Sequence, residues 1–368
     1  MYQHEIEDMV GLMCCPMCRK PAIEIKDRAM TFNIKEPLSN IALYCAFCGN
    51  YYPVTEDFIP IMWSDNLKKA FDEYNLPEMR VSEKEGEQNI VANMKIYDKN
   101  SDSYDEFVRK SEDIGFRLVN AVKSILTGSE QGPLLHLDYA CGPGHVLRWL
   151  KPFAFRQVGL DVSLKNLRNA RRSTGCFAVC ADACNLPFID RSFHLVTESS
   201  GLHHILDWEM AIRESCRICK VGGGVIIDSE PSDLQLDWSS IAIYVFNSRF
   251  IFYKILSYFI KERYIFRNIE EAKLNMKAEI YHQPKTGIPL DILKNILKEE
   301  DVDVKIITSP SSDLKSVACP TWQGIVLNFL SLRNPWNPDY GAALSPAARN
   351  WAASSASCRS RRCRPFRR

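Results

Sequence analysis

The chain has 368 residues, 46% hydrophobic and 25% charged, a globular balance in a length that suits one large and one small domain. Its net charge of +1 hides a split: the last 28 residues hold seven arginines (Arg349, Arg359, Arg361, Arg362, Arg364, Arg367, Arg368) and no acid, leaving 39 basic against 45 acidic side chains elsewhere. An acidic body is poorly suited to gripping a polyphosphate chain, and no apolar run is long enough to span a bilayer.

The opening Met1-Tyr-Gln-His-Glu-Ile-Glu-Asp is acidic and lacks an apolar core segment, so no secretory signal is expected and the cytoplasm is the expected compartment. In that setting fourteen cysteines point to metal ligation and reduced buried thiols rather than disulfides. Cys15-Pro-Met-Cys18 and Cys45-Ala-Phe-Cys48 form two knuckles separated by 26 residues. Four thiolates in a tetrahedron suit a structural Zn2+ and leave no open position for chemistry. Cys14 could replace Cys15, although the x-x spacing favours Cys15. A single pair of this kind could be a redox couple; two together favour a metal. Gly49-Asn-Tyr-Tyr-Pro-Val-Thr-Glu-Asp-Phe-Ile-Pro-Ile-Met62 continues the pattern, and residues 10–63 resemble the small zinc ribbons of methyltransferase activator subunits and of certain bacterial ribosomal-RNA guanine methyltransferases. Such a ribbon needs its metal to fold, and its expected role is structural or substrate-positioning.

Residues 64–104, with Glu83-Lys-Glu-Gly-Glu87, read as a charged, irregular linker. Tyr104 to Leu126 reads as one helix, with Phe107, Ile114, Leu118, Val122 and Leu126 at spacings of seven and four, stopped by Gly128. Tyr97 or Tyr104 is placed to close over a neighbouring site.

Leu134-Leu-His-Leu-Asp138 is an apolar run ending in an acid, followed by a small-residue turn through Gly142 and Gly144 and a helical pattern, Val146-Leu-Arg-Trp-Leu150. Strand, turn and helix in that order bring main-chain amides close to a ligand. Gln157-Val-Gly-Leu-Asp161 ends a second strand on a carboxylate able to accept from both hydroxyls of a ribose. A third apolar run, Cys176 to Ala181, ends at Asp182, and Asp190-Arg-Ser-Phe-His-Leu-Val196 opens a fourth strand ending near Glu198. A nicotinamide-binding fold would want a third glycine where Leu147 stands, and the acid Asp138 before the turn also argues against a dinucleotide.

Leu137-Asp-Tyr-Ala-Cys-Gly-Pro-Gly144, Gly159-Leu-Asp-Val-Ser163, Ala181-Asp-Ala-Cys-Asn-Leu-Pro-Phe188 and Arg213-Glu-Ser-Cys-Arg-Ile-Cys-Lys-Val-Gly-Gly223 together resemble a class I S-adenosylmethionine-dependent methyltransferase of the ubiquinone and menaquinone pathway group. The resemblance spans roughly residues 105–330. It implies that Asp138 and the Gly142/Gly144 backbone hold the methionine end of S-adenosylmethionine, that Asp161 binds the ribose and that Asp182 accepts from the adenine amino group. Two positions depart from the family pattern. Ala140 stands where glycine is usual, small enough to keep binding, and His194 replaces a common aspartate inside the fourth strand, away from the cofactor.

Glu198-Ser-Ser-Gly-Leu-His-His-Ile205 follows the fourth strand, which places His203 and His204 near the methyl acceptor, as general bases or as pocket lining and helix caps. Cys176, Cys180 and Cys184 read as small buried hydrophobes rather than a cluster. After the strand Gly223–Glu230, residues 231–285 interrupt the fold. Residues 241–266 hold nine aromatics (Tyr244, Phe246, Phe250, Phe252, Tyr253, Tyr258, Phe259, Tyr264, Phe266) interspersed with Arg249, Lys254, Lys261 and Arg263. This cap either packs on the main domain or forms a lid over an apolar chamber, resting on a membrane surface, and His282 could reach the same pocket. A helix over 290–297 and strands over 302–308 and 322–330 would complete the sheet, the last antiparallel.

The expected architecture is therefore α/β: a seven-stranded Rossmann-like methyltransferase sheet with helices on both faces, a small N-terminal zinc ribbon and an aromatic-rich cap. The expected divisions are a ribbon over 1–63, a linker over 64–104, a methyltransferase domain over 105–333 with its cap at 231–285, and a disordered basic tail over 334–368. The expected reaction is methyl transfer from S-adenosylmethionine to a small-molecule or lipid-like acceptor. RNA base methylation and a catalytically silent cofactor-fold scaffold are the alternatives. Nucleic acid is disfavoured as a partner by the acidic body and by Glu198-Ser-Ser-Gly201 in place of an Asn/Asp-Pro-Pro-Tyr/Phe segment.

Overall fold

A computed structural model describes residues 2–28, 30–74, 85–108, 112–125, 133–256, 276–299, 305–306, 322–334 and 351–352. The chain opens with helix α1 (Tyr2–Val10) and a three-stranded antiparallel sheet of β1 (Ile23–Asp27), β2 (Leu38–Cys45) and β3 (Tyr51–Thr55), β2 in the centre. Cys45 ends β2 opposite Ile23, so the second knuckle is the turn between β2 and β3.

The next strand, β4 (Ile61–Met62), leaves this small sheet and pairs in parallel with Cys180 and Ala181 of the larger one. Ile6, Met9, Met13, Ile59 and Ile61 consequently share one buried core with Val158, Val179 and Phe188. The ribbon is thus welded to the sheet rather than tethered beside it.

Helices α2 (Asp65–Tyr74) and α3 (Glu85–Val108) occupy the stretch expected to be an irregular linker. Leu67, Ala70 and Phe71 bury one face of α2 at helical spacing, a short stripe that the surrounding charges obscure in the sequence. The single helix expected over 104–126 is divided between α3 and α4 (Glu112–Ile125), where Leu118, Ala121 and Val122 are buried as the spacing requires. Gly115 lets α4 approach closely: a Cβ there would lie 2.7 Å from the Trp149 ring. The side chains of Phe107 and Ile114, and Leu126 itself, lie outside the described residues.

The main sheet is built from β5 (Leu135–Tyr139), β6 (Arg156–Asp161), β7 (Phe177–Ala181), β8 (Phe193–Ser199), β9 (Cys219–Asp228) and β10 (Lys305–Ile306), all parallel. Helices α5 (His145–Trp149), α6 (Leu164–Thr174) and α7 (Trp208–Ile218) connect them. Ser163 caps α6 by accepting from Asn166 N, and Gly175 ends it at φ 77°.

Among the described residues the strand order is β11-β10-β9-β8-β5-β6-β7-β4, eight strands rather than seven. The two additional edges come from β4 of the ribbon and from β11 (Trp351–Ala352), antiparallel to β10, which lies in the stretch expected to be a disordered tail. The strand expected over 322–330 is instead helix α11 (Trp322–Leu330), packed on α9 (Ser240–Leu256) of the cap. A short apolar run does not by itself distinguish strand from helix. Within the cap α8 (Asp233–Leu236) precedes α9, while Tyr258, Phe259, Tyr264 and Phe266 lie outside the described residues; α10 (Leu290–Glu299) follows. No described helix is long and apolar enough to cross a membrane.

The chain winds outward from β5 in both directions, so the strand order reverses between β5 and β8. The crevice beyond the carboxyl ends of those strands is where an open α/β sheet accepts ligands.

Candidate active site and metal centre

The two cysteine knuckles fold alike. Cys15 O accepts from Arg19 N at 2.8 Å and Cys45 O from Gly49 N at 2.9 Å, while Cys15 N donates to Lys20 O and Cys45 N to Asn50 O. The residue after each second cysteine takes a left-handed conformation, φ 63° at Arg19 and 77° at Gly49. The four Sγ atoms lie within 4.8 Å of one another, with Cys15–Cys48 at 3.5 Å and Cys18–Cys45 at 3.6 Å. Four thiolates around one zinc ion, at about 2.3 Å each, need similar separations. Asn50 Nδ2 donates to Cys48 Sγ at 3.2 Å and the Tyr52 hydroxyl lies 2.8 Å from Cys15 Sγ, the outer donors expected of a metal-bound thiolate set. The donor set therefore fits a metal ion. Cys14 is turned away, its thiol donating to Phe188 O at 3.2 Å, which resolves the choice between Cys14 and Cys15.

A cavity of about 340 Å³ opens at the β5/β8 reversal, within the usual size of a small-molecule site. Its floor is the turn after β5, which holds Ala140, Gly142 and Gly144 at φ 49°, 51° and 84°. Ala140 and Gly142 line the cavity; Gly144 does not. Gly144 instead serves packing, because a Cβ there would meet Ala170 of α6 at 2.9 Å.

Asp161 and Asp182 line one wall at the ends of β6 and β7. Asp161 accepts from Gly142 N at 2.9 Å and Ser163 N at 2.8 Å, yet burial pushes its carboxyl up to about 6. Asp182 accepts from Cys184 N at 2.9 Å and from the Ser64 hydroxyl at 3.3 Å, and burial raises it too. Asp138 sits behind the floor, 1% exposed and off the cavity wall. Its Oδ1 accepts from Thr197, its Oδ2 is buried without a partner, and burial pushes it to about 8.

Helix α3 supplies the facing wall through Asn89, Asn93 and Tyr97, spaced four residues apart. The Tyr97 hydroxyl is 2.8 Å from His204 Nε2, and His204 Nδ1 is 3.1 Å from Ala278 O. A carbonyl only accepts, so Nδ1 carries the ring proton and Nε2 accepts from Tyr97. Burial pushes His204 down to about 3, which keeps the ring neutral. His204 lines the cavity; His203 does not. His203 Nδ1 is instead 2.9 Å from Glu230 Oε2, which also accepts from the His203 amide at 2.9 Å. Glu198 and Glu230 both accept from Gly201 N and Leu202 N, and burial together with Glu230 raises Glu198 well above the carboxylate range. This acid pair caps the helical turn Leu202–His204 and so sets His204 against Tyr97. His282 meets the His203 ring, 5.1 Å away, and the Glu279 carboxylate at 3.6 Å, but does not line the cavity wall.

Three smaller expectations resolve here. His194 is remote as expected, accepting from Leu135 N at 2.9 Å and meeting Lys220 at 3.1 Å. Cys176 and Cys180 are buried, whereas Cys184 is half-buried and lines the cavity. The side chain of Tyr104 lies outside the described residues. Asn66, Asn89, Asn93 and Ser64 escaped the sequence reading, because asparagine and serine in a charged stretch carry no periodic signal.

Residues 137–227 match the family model described as a methyltransferase domain. A demethylmenaquinone methyltransferase of Thermotoga maritima is 36% identical over 141 residues, 36% of this chain and 59% of that protein. A ubiquinone/menaquinone biosynthesis C-methyltransferase of Stenotrophomonas maltophilia is 34% identical over 175 residues, 44% of this chain and 62% of that protein. The chain thus spans less than two thirds of these relatives. Among solved structures, an S-adenosylmethionine-dependent methyltransferase from Mesorhizobium loti is 27% identical, covering 33% of this chain and 58% of its own, with a TM-score of 0.28.

Proposed function

We propose that this chain, whose residues 137–227 form a class I S-adenosylmethionine-dependent methyltransferase domain, transfers methyl groups to a small-molecule or lipid-like acceptor. One observation carries the reading: two buried strand-end acids and a tyrosine–histidine pair face each other across a single cavity at the sheet's switch point. In this proposal Asp161 accepts from the ribose and Asp182 from the adenine amino group. The Ala140–Gly144 turn and Asp138 hold the methionine end, where the unpartnered Asp138 Oδ2 suits an ammonium. Gly144 would act there by keeping the turn closed on α6.

When bound, S-adenosylmethionine supplies an electrophilic methyl on a sulfonium leaving group. The protein's contribution is alignment and exclusion of water. An acceptor that arrives protonated would meet the Tyr97 hydroxyl, whose own hydrogen bond runs to His204 Nε2. A neutral imidazole held near pKa 3 is a weak base, so this pair suits an acidic acceptor or orients one by hydrogen bonding. His203 is a positioning residue in this scheme. The four-cysteine site would hold a structural Zn2+.

The relatives' names support a lipid-like acceptor, and the cap supports peripheral contact with a membrane: Ile241 and Tyr244 on α9 are 64% and 77% exposed. A cytoplasmic setting suits the reduced thiols. Calorimetry with S-adenosylmethionine, then incubation with methyl-labelled cofactor and fractionated cell extract, tests the reading. Label in the organic extract is expected. Label in RNA would move the assignment to RNA base methylation, and no binding heat would leave a silent scaffold.

A further inference from the structure

The first metal knuckle is built into the wall of the cavity. The segment that supplies Asp182, Ala183 and Cys184 to that wall is bonded, from Asn185 to Ile189, to residues 12–19. Cys14 N donates to Pro187 O and Ile189 N to Leu12 O, both at 3.0 Å. Asn185 Nδ2 donates at 2.8 Å to the carbonyl of Pro16, which lies between ligands Cys15 and Cys18. Arg19, immediately after Cys18, pairs with Glu214 at 2.7 Å, and the same Glu214 Oε2 accepts from Leu186 N at 2.9 Å. At its far end the ribbon continues into Ser64, which donates to Asp182 and caps α2, whose Asn66 also lines the cavity.

These contacts form a chain from the cysteines to a cofactor-site acid. Arg19 holds a left-handed conformation, disfavoured for a residue with a side chain, inside a turn closed by Cys15, which accepts from Arg19 N and donates to Lys20 O. An ion binding those cysteines fixes the turn, and with it the guanidinium and the Pro16 carbonyl.

Resting on the reading of the cavity as the S-adenosylmethionine site, we propose that metal in the four-cysteine site and cofactor in the cavity bind cooperatively, with Arg19 and Asn185 as positioning residues that transmit metal occupancy to Asp182. The ribbon then acts as a built-in activator of the cofactor site.

Coupling between two sites is reciprocal, which allows a test without any variant. Zinc affinity of the full chain is measured by competition with a chromophoric chelator, with and without saturating S-adenosylmethionine. Cofactor is expected to tighten zinc by about tenfold. In zinc-loaded protein, calorimetry should show cofactor bound about tenfold more weakly by Arg19→Ala, with partial rescue in Arg19→Lys and a smaller loss in Asn185→Ala. Arg19→Ala should still bind zinc but lose the cofactor-dependent increment. Equal zinc affinity with and without cofactor, in wild-type protein that binds cofactor normally, would overturn the coupling and leave the cavity assignment standing. Absence of cofactor heat from zinc-loaded wild type would overturn both.

Discussion

The contribution of Asp161 to cofactor affinity, read as the difference between wild type and Asp161→Asn, should fall about tenfold between pH 7 and pH 5. Burial holds this carboxyl at about 6, against the amides of Ser163 and Gly142 and reinforced by the charge of Asp98. Ribose hydroxyls donate to the ionised form, so binding draws the pKa down. At pH 5 a group with a pKa of 6 is about nine-tenths protonated, and expelling that proton costs about 1.4 kcal/mol. This contribution therefore rises with pH through about 6 and then levels off. The effect on folding has the opposite sign. A carboxyl raised on folding favours the folded state most below its unfolded pKa, and that contribution is lost as pH rises through about 6. Calorimetry at pH 5.5 in two buffers of different ionisation enthalpy should report a proton release per cofactor bound to which Asp161 contributes about three-quarters of a proton. Asp161→Asn should remove that contribution, at a stability cost of about 1–3 kcal/mol because the new amide cannot accept from both backbone N–H groups. A constant difference between wild type and variant from pH 5 to 7, or the same proton release in the variant, would refute the reasoning.

Ala140→Gly should be neutral or stabilising by up to about 1 kcal/mol in urea unfolding, since relief of strain at φ 49° offsets the added chain entropy. A clear loss of stability would contradict the strain. Gly201→Ala should cost about 1–3 kcal/mol, because the new Cβ would lie 2.7 Å from that of Ala140, and should weaken cofactor binding at the same floor. Tyr97→Phe should lower turnover by about 10- to 100-fold while leaving cofactor affinity within about twofold; unchanged turnover would remove the tyrosine from the chemistry. Chelation of the metal should lower the melting temperature of the main transition, because Ile6, Met13 and Ile61 belong to the same core as β6 and β7. Two separate transitions would instead indicate an independent ribbon.

The parts legible in the sequence are those where backbone geometry dictates residue type. Two Cys-x-x-Cys turns and a Gly-x-Gly floor each demand their residues locally, and both form as read. Asp161 and Asp182 were legible because a strand end is marked by where an apolar run stops. Tyr97 apart, which the sequence placed near the site, the facing wall was not legible: α3 presents Asn89 and Asn93 to the cavity from a stretch whose charges read as solvated linker. Its helical identity depends on packing against α2 and α6, which propensity does not encode. The role of Ser64 depends on β4 joining β7, a pairing between residues more than a hundred positions apart. Asp138 and Gly144 lie just behind the residues that line the cavity, a distinction that proximity in sequence does not make.

The same geometry explains why a dinucleotide fits this turn poorly. In the dinucleotide fingerprint the third glycine lets the helix approach the strand. Here Leu147 stands at that position, fully buried, and the close approach is conceded by the strand: a Cβ on Gly159 would lie 3.1 Å from Leu147 Cδ1. Charge is what discriminates. Asp138, Asp161 and Asp182 are each at most 8% exposed, raised by burial, and held by hydroxyl and amide donors from Thr197, Gly142, Ser163, Cys184 and Ser64. A pyrophosphate would bring negative charge toward carboxylates already costly to ionise, whereas an ammonium and a sulfonium relieve that cost. The acids at the strand ends thus select against a pyrophosphate on electrostatic grounds, while Leu147 and Gly159 only exchange the packing roles of the dinucleotide fingerprint.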